Sequence, residues 1–126
     1  MLPDTEAVAT IPVKDIDVAK RFYERTLELR PTPEVESGVV LYENGHSKVL
    51  VYQSQYAGTN QATAATFIVG DDIERTIDEL KAKGVTFEHY DDMPGLTRHG
   101  DIHGAGRTRA AWFKDPDGNI LALVSG

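Results

Sequence analysis

Apolar residues near the start of the chain change their spacing at Asp15. Before it, VATIPV (residues 8–13) is a short apolar run with strand character; after it, Ile16, Ala19, Phe22, Tyr23 and Leu27 recur at three- and four-residue steps. That rhythm marks one face of a helix, and Asp15 is placed to cap it. The change repeats further on. AATFIV (residues 64–69) is a second apolar run, and Asp71 opens a helix whose inward residues are Ile73, Ile77 and Leu80. Asp71 and Glu74 have capping-box spacing, and Gly84 is a stop signal. The two openings also share letters: the pattern AT-x-x-V-x-D occurs at Ala9–Asp15 and at Ala65–Asp71. The chain is an internal repeat.

After each helix the pattern turns to strands. GVVLYENGHSKVLVYQ predicts a hairpin around Glu43-Asn44-Gly45, and RAAWFKDPDGNILALV a second around Asp115-Pro116-Asp117-Gly118. The second half is longer by an insertion, residues 91–106, rich in glycine and polar groups. Each half therefore reads β-α-β-β-β. The expected class is α+β: a single domain, residues 1–126, whose repeats cover about residues 6–54 and 62–125. They form a curved mixed sheet around a concave pocket, with the helices on its outer face.

Composition narrows the partners. Thirteen Lys and Arg against 20 Asp and Glu give a net charge of -7, which argues against nucleic acid. No apolar run is long enough to span a bilayer, and the amino terminus has no signal-like core, so no membrane partner is expected and the compartment is read as cytoplasmic. Without cysteine, disulfides and thiolate chemistry are excluded.

The paired modules, the opening IPVKDIDVAKRFYERTLEL and the closing AWFKDPDGNILALV together resemble the vicinal oxygen chelate superfamily, which includes glyoxalase I, fosfomycin and bleomycin resistance proteins and extradiol dioxygenases. The resemblance implies a homodimer and, in its enzymes, a divalent metal held by histidines that open each module and glutamates on each last strand. Counted onto this chain, those positions fall on Val8, Ala64 and Ala122, and SKVLVYQS (residues 47–54) holds no Asp, Glu or His in either register. Hydrocarbon offers a metal no lone pair, so neither a metal nor another cofactor is expected. Period-two alternation turns Ile120, Ala122 and Val124 toward the hollow as an apolar wall.

Two sets of side chains remain for chemistry. His99, Asp101 and His103 alternate as H-x-D-x-H; in an extended segment they would share a side, and such a set suits zinc or iron(II). The plainer reading is a polar loop with solvated histidines. FEHYDD (residues 87–92) offers acids and a base, though acidic strand ends are usually just solvated. Aromatic residues suit a binding pocket better: the resemblance implies that Phe113 is the core aromatic before the DP turn, and if it packs under a helix, Trp112 faces the hollow. The candidate ligand-binding residues are Tyr52, Tyr56, Thr66, His103 and Trp112, and no catalytic residue is assigned. The function expected is metal-free capture of an aromatic or partly apolar small molecule, as in the bleomycin-resistance-like branch. The alternative is a lyase, isomerase or oxygenase working through a displaced metal site or through acid-base groups alone.

Overall fold

The computed structural model describes residues 2–4, 7–33, 37–92 and 94–125. The expected starting boundary at residue 6 lies outside them. The first half runs β1 (Ala9–Val13), α1 (Ile16–Lys20), β2 (Arg30–Pro31), β3 (Val39–Asn44) and β4 (Ser47–Gln53). The second runs β5 (Thr63–Ile68), α2 (Ile73–Ala82), β6 (Phe87–Glu88), β7 (Thr97–His99), β8 (Ile102–Ala105), β9 (Thr108–Lys114) and β10 (Ile120–Val124). In both halves the first strand pairs in parallel with the last, β1 with β4 and β5 with β10, and the remaining pairings are antiparallel. The duplication seen in the letters is thus a duplication of topology.

The class is α+β as expected, but the sheet is not continuous. Each half builds its own mixed sheet, ordered β1-β4-β3-β2 and β5-β10-β9-β8-β7, with β6 also paired to β9. β1 lies beside β5 without a ladder between them.

Local chemistry explains where the helices begin and end. Asp15 caps α1, its Oδ1 accepting from the backbone N–H of Asp17 at 2.9 Å and of Val18 at 3.3 Å. α1 then widens into a π-helical stretch, Arg21–Thr26, in which Leu27 N–H donates to Phe22 C=O five residues back. The expected capping box at Asp71 and Glu74 does not form. A 3-10 turn, Gly70–Asp72, intervenes, Asp72 becomes the cap residue with no side-chain cap bond, and its carboxylate pairs with Arg75 at 2.9 Å. Gly84, at φ 93°, ends α2 as expected.

Between helices and sheets lies a core of Tyr23, Tyr42, Phe113, Ile11, Ile73 and Leu121, each fully buried. Phe113 meets Phe87 edge to face at 5.5 Å and Phe22 at 6.4 Å. It sits under the helices, and strand alternation then turns Trp112 to the opposite face.

The DPDG turn joins the halves. Asp115 is buried and saturated: Oδ1 accepts from the N–H groups of Asp117 and Asn119, and Oδ2 from the Asn119 side chain and from Tyr23 Oη at 2.8 Å. Burial first, then the Asp115 carboxylate, pushes the Tyr23 phenol far above its ordinary value, so it stays a proton donor. Asn119 Nδ2 donates to Pro12 C=O at 2.7 Å, and Lys14 N–H to Asp117 Oδ2 at 3.1 Å, tying the turn to the end of β1. A Cβ at Gly58 would collide with the Asp117 carbonyl oxygen, so only glycine lets the inter-half linker press against the turn.

Candidate functional site

On the second sheet, one face packs under α2 and the other carries Ala110, Trp112 and Lys114 of β9 beside Val124, Ala122 and Ile120 of β10, in register. Glu88 of β6 stands opposite Trp112. The linker after β4 rises beside this face. Together they enclose a recess of about 700 Å³, lined among others by Gln61, Thr63, Glu88, Tyr90, Trp112 and Lys114. That volume is in the range of small-molecule sites. A smaller hollow of about 220 Å³ on the helix side is lined by Leu27, Leu29, Phe67, Leu80, Phe113 and Leu123. It is a mostly apolar hollow, with Asn44 and Thr76 also in its lining, below the usual ligand-site size.

Trp112 is held in place from three directions. Its indole N–H donates to Thr63 Oγ1 at 3.2 Å, Tyr90 meets it edge to face at 5.4 Å, and His103 does so at 4.9 Å. Such T-shaped contacts are the favoured geometry for aromatic pairs. His103 is fully buried, accepting from Tyr90 N–H at Nε2 over 2.9 Å. The ring proton therefore sits on Nδ1, which has no partner among the described residues. His103 thus stands behind the recess wall as a brace for Trp112 and Tyr90.

Polar groups converge on the rim. Lys114 Nζ lies 3.4 Å from Glu88 Oε1, with the two side chains 48% and 29% exposed. Burial and then Glu88 push the Tyr90 phenol up, Lys114 opposing, so the O–H is retained as a donor. Of the other sequence candidates, Thr66 lies on the same sheet face opposite Ala122 but outside the recess lining. Tyr52 stands on the corresponding face of the first sheet and Tyr56 projects from the linker; both are exposed and neither lines the recess. Tyr90 and Lys114 were missed by the aromatic reading of the sequence, although the alternation Phe87 inward, Glu88 and Tyr90 outward was there to find.

The H-x-D-x-H pattern does not make a shared face. The insertion is a β-hairpin, β7 to β8, and Gly100, at φ 64°, turns the chain between His99 and His103. His99 is exposed opposite Ile102, whereas Asp101, in the turn, is bound by Lys81 at 2.8 Å and His89 at 2.8 Å. The Lys81 hydrogen bond, then that of His89, holds the Asp101 carboxyl below its usual range. The displaced metal site is therefore corrected by the turn that parts its members. Val8 directly precedes β1, Ala64 lies within β5, and Ala122 is buried beside Trp112. Among the described residues no group of three or more His, Asp or Glu side chains is arranged to hold a metal ion, so the donor set does not fit the family's divalent cation. No helix among the described residues is long and apolar enough to cross a membrane.

No curated protein sequence matches the chain. Among solved structures, the fosfomycin resistance protein FosX from Listeria monocytogenes, complexed with Mn(II) and sulfate, superposes with a TM-score of 0.72 at 16% identity, over 98% of this chain and 90% of that one. FosX from Mesorhizobium loti gives 0.68 at 17% identity, over 98% and 92%. Lactoylglutathione lyase from Agrobacterium tumefaciens gives 0.69 at 17% identity, over 97% and 93%. At such identities these likenesses speak for the fold alone. The family model described as Glyoxalase/Bleomycin resistance protein/Dioxygenase superfamily matches residues 7–123, and the chain belongs to that superfamily.

Proposed function

We propose that the protein is a small-molecule binding member of its superfamily, capturing a planar or partly apolar compound in the recess of the second sheet without a metal ion. In this reading residues 1–126 act as one domain made of repeats at about 6–54 and 62–125, in the cytoplasm. The observation that carries it is the braced Trp112: a flat ring presented to an open recess, on a sheet face that offers carbon where a metal would need oxygen or nitrogen. A capture protein needs ground-state affinity, which a preorganised ring supplies without any reactive centre. Trp112 makes the direct contact, His103 supports it, and Thr66 borders the site. Tyr52, Tyr56 and Ile68 are each large apolar side chains left exposed, and cover by a second copy in a homodimer would bury them.

Metal-free acid-base catalysis is the second reading, favoured by Glu88, Tyr90 and Lys114 on one rim. Trp112 is the only tryptophan, so its fluorescence and the melting temperature report binding directly. A panel of planar aromatic compounds is expected to contain members that move both signals and are recovered unchanged. A panel that moves neither would remove the capture reading; turnover of a bound compound would favour the second.

A further inference from the structure

We propose that the recess selects planar aromatic ligands carrying an anionic group, a carboxylate being the simplest, with the ring against Trp112 and the anion on Lys114. This rests on the capture reading and specifies its ligand class.

Spacing comes first. Lys114 follows Trp112 by two positions on the same face of β9. Strand geometry separates their backbones by roughly 6.8 Å, which suits an acid group one or two bonds from the ring, met by the flexible lysine stem.

Donor balance comes second. The ammonium of Lys114 has three protons, yet its nearest acidic partner, Glu88, is 3.4 Å away, beyond the roughly 2.7–2.9 Å of a charge-assisted hydrogen bond. Among the described residues neither the ammonium nor the Tyr90 phenol completes a side-chain hydrogen bond, and the phenol, shifted up from its ordinary value by burial and then by Glu88, is a donor at neutral pH. The indole N–H is already committed to Thr63. The rim thus presents spare donors above an apolar floor of Ile120 and the Trp112 ring, and its ligand must bring acceptors.

The sign of the charge follows. Lys114 is the more exposed of the rim pair, while Glu88 is drawn back beside β9. A cationic ligand reaching Glu88 has to pass the ammonium, whereas an anion meets Lys114 first and turns Glu88 into a backstop. The net charge of -7 disfavours anions at long range, so the preference is local and survives moderate salt.

The single indole N–H of Trp112 gives one peak in a nitrogen-15 correlation spectrum, and three probes share one ring: phenylacetate, 2-phenylacetamide and 2-phenylethylamine. Phenylacetate is expected to shift that peak with a Kd at least tenfold lower than the amide, the amine binding weakest. K114Q should bring the acid down to the amide's level, and E88Q should tighten the acid several-fold. Amide or amine binding as tightly as acid, or an acid preference retained in K114Q, overturns the inference while leaving the capture reading standing. No shift with any of the three overturns the inference too, and the broader panel then judges the capture reading on its own.

Discussion

The two halves share a topology but not a surface. In the first, the face of the sheet turned away from the helix carries Thr10, Leu50 and Tyr52, with Tyr52 exposed. In the second, the equivalent face is bounded by the linker and by the stretch around Tyr90, which together shape a recess, and the extra hairpin places His103 behind its wall. The repeat thus supplies two frames, and the linker and the Tyr90 stretch make one of them a recess. Each piece of the difference can be removed separately.

The largest effect is expected at the joint. Asp115→Ala leaves the Tyr23 hydroxyl, the Asn119 amide and two backbone N–H groups without their acceptor, a loss of about 4 kcal/mol in denaturant unfolding, with the halves melting less cooperatively. Gly58→Ala comes next. Its φ of 76° and the collision with the Asp117 carbonyl cost about 2 kcal/mol, and the recess wall moves. If binding of a recess ligand survives that change undiminished, the linker is not part of the wall. Tyr23→Phe removes a single bond of the joint and should cost about 1 kcal/mol by the same unfolding measurement.

The smallest effect is expected at the hairpin. Asp101 ties the β7–β8 turn to α2 through Lys81 and to His89, and its carboxyl is held below the ordinary carboxylate range. A depressed folded-state value means this contribution is complete above the unfolded-state value, near 4, and is lost as pH falls through the lower folded one. The protection factors of β7 and β8 amides, corrected for the intrinsic pH dependence of exchange, should therefore fall in acid, while β9 and β10 stay protected. Asp101→Asn should reproduce the change at neutral pH. Equal protection in both variants and at both pH values would show that the hairpin is held by its ladder alone.

Most of the frame was legible because it is written locally. Asp15 caps the helix its spacing announced, and the repeated AT-x-x-V-x-D motif became β1 and β5. The alternation around Phe113 and Trp112 also placed one ring under the helices and the other on the open face. What escaped depends on contacts between distant residues or on one backbone angle. The DPDG turn was read as the entrance to a pocket wall, whereas its side chains reach across to Tyr23, Pro12 and Lys14, which no periodicity encodes. His99, Asp101 and His103 keep strand spacing on paper, but the left-handed Gly100 puts Asp101 in a turn and the two histidines on separate strands. Tyr90 and Lys114 were overlooked because the acidic residues around the one and the turn after the other drew the reading away from simple alternation.

The central claim is that this recess binds its ligand with carbon, rings and donors, and not through a cation. The direct measurement is the Trp112 indole peak during titration with a compound from the aromatic panel, before and after exhaustive treatment with a chelator. The same Kd in both conditions is the predicted result. Binding that vanishes with the chelator and returns on adding Mn(II) would contradict it.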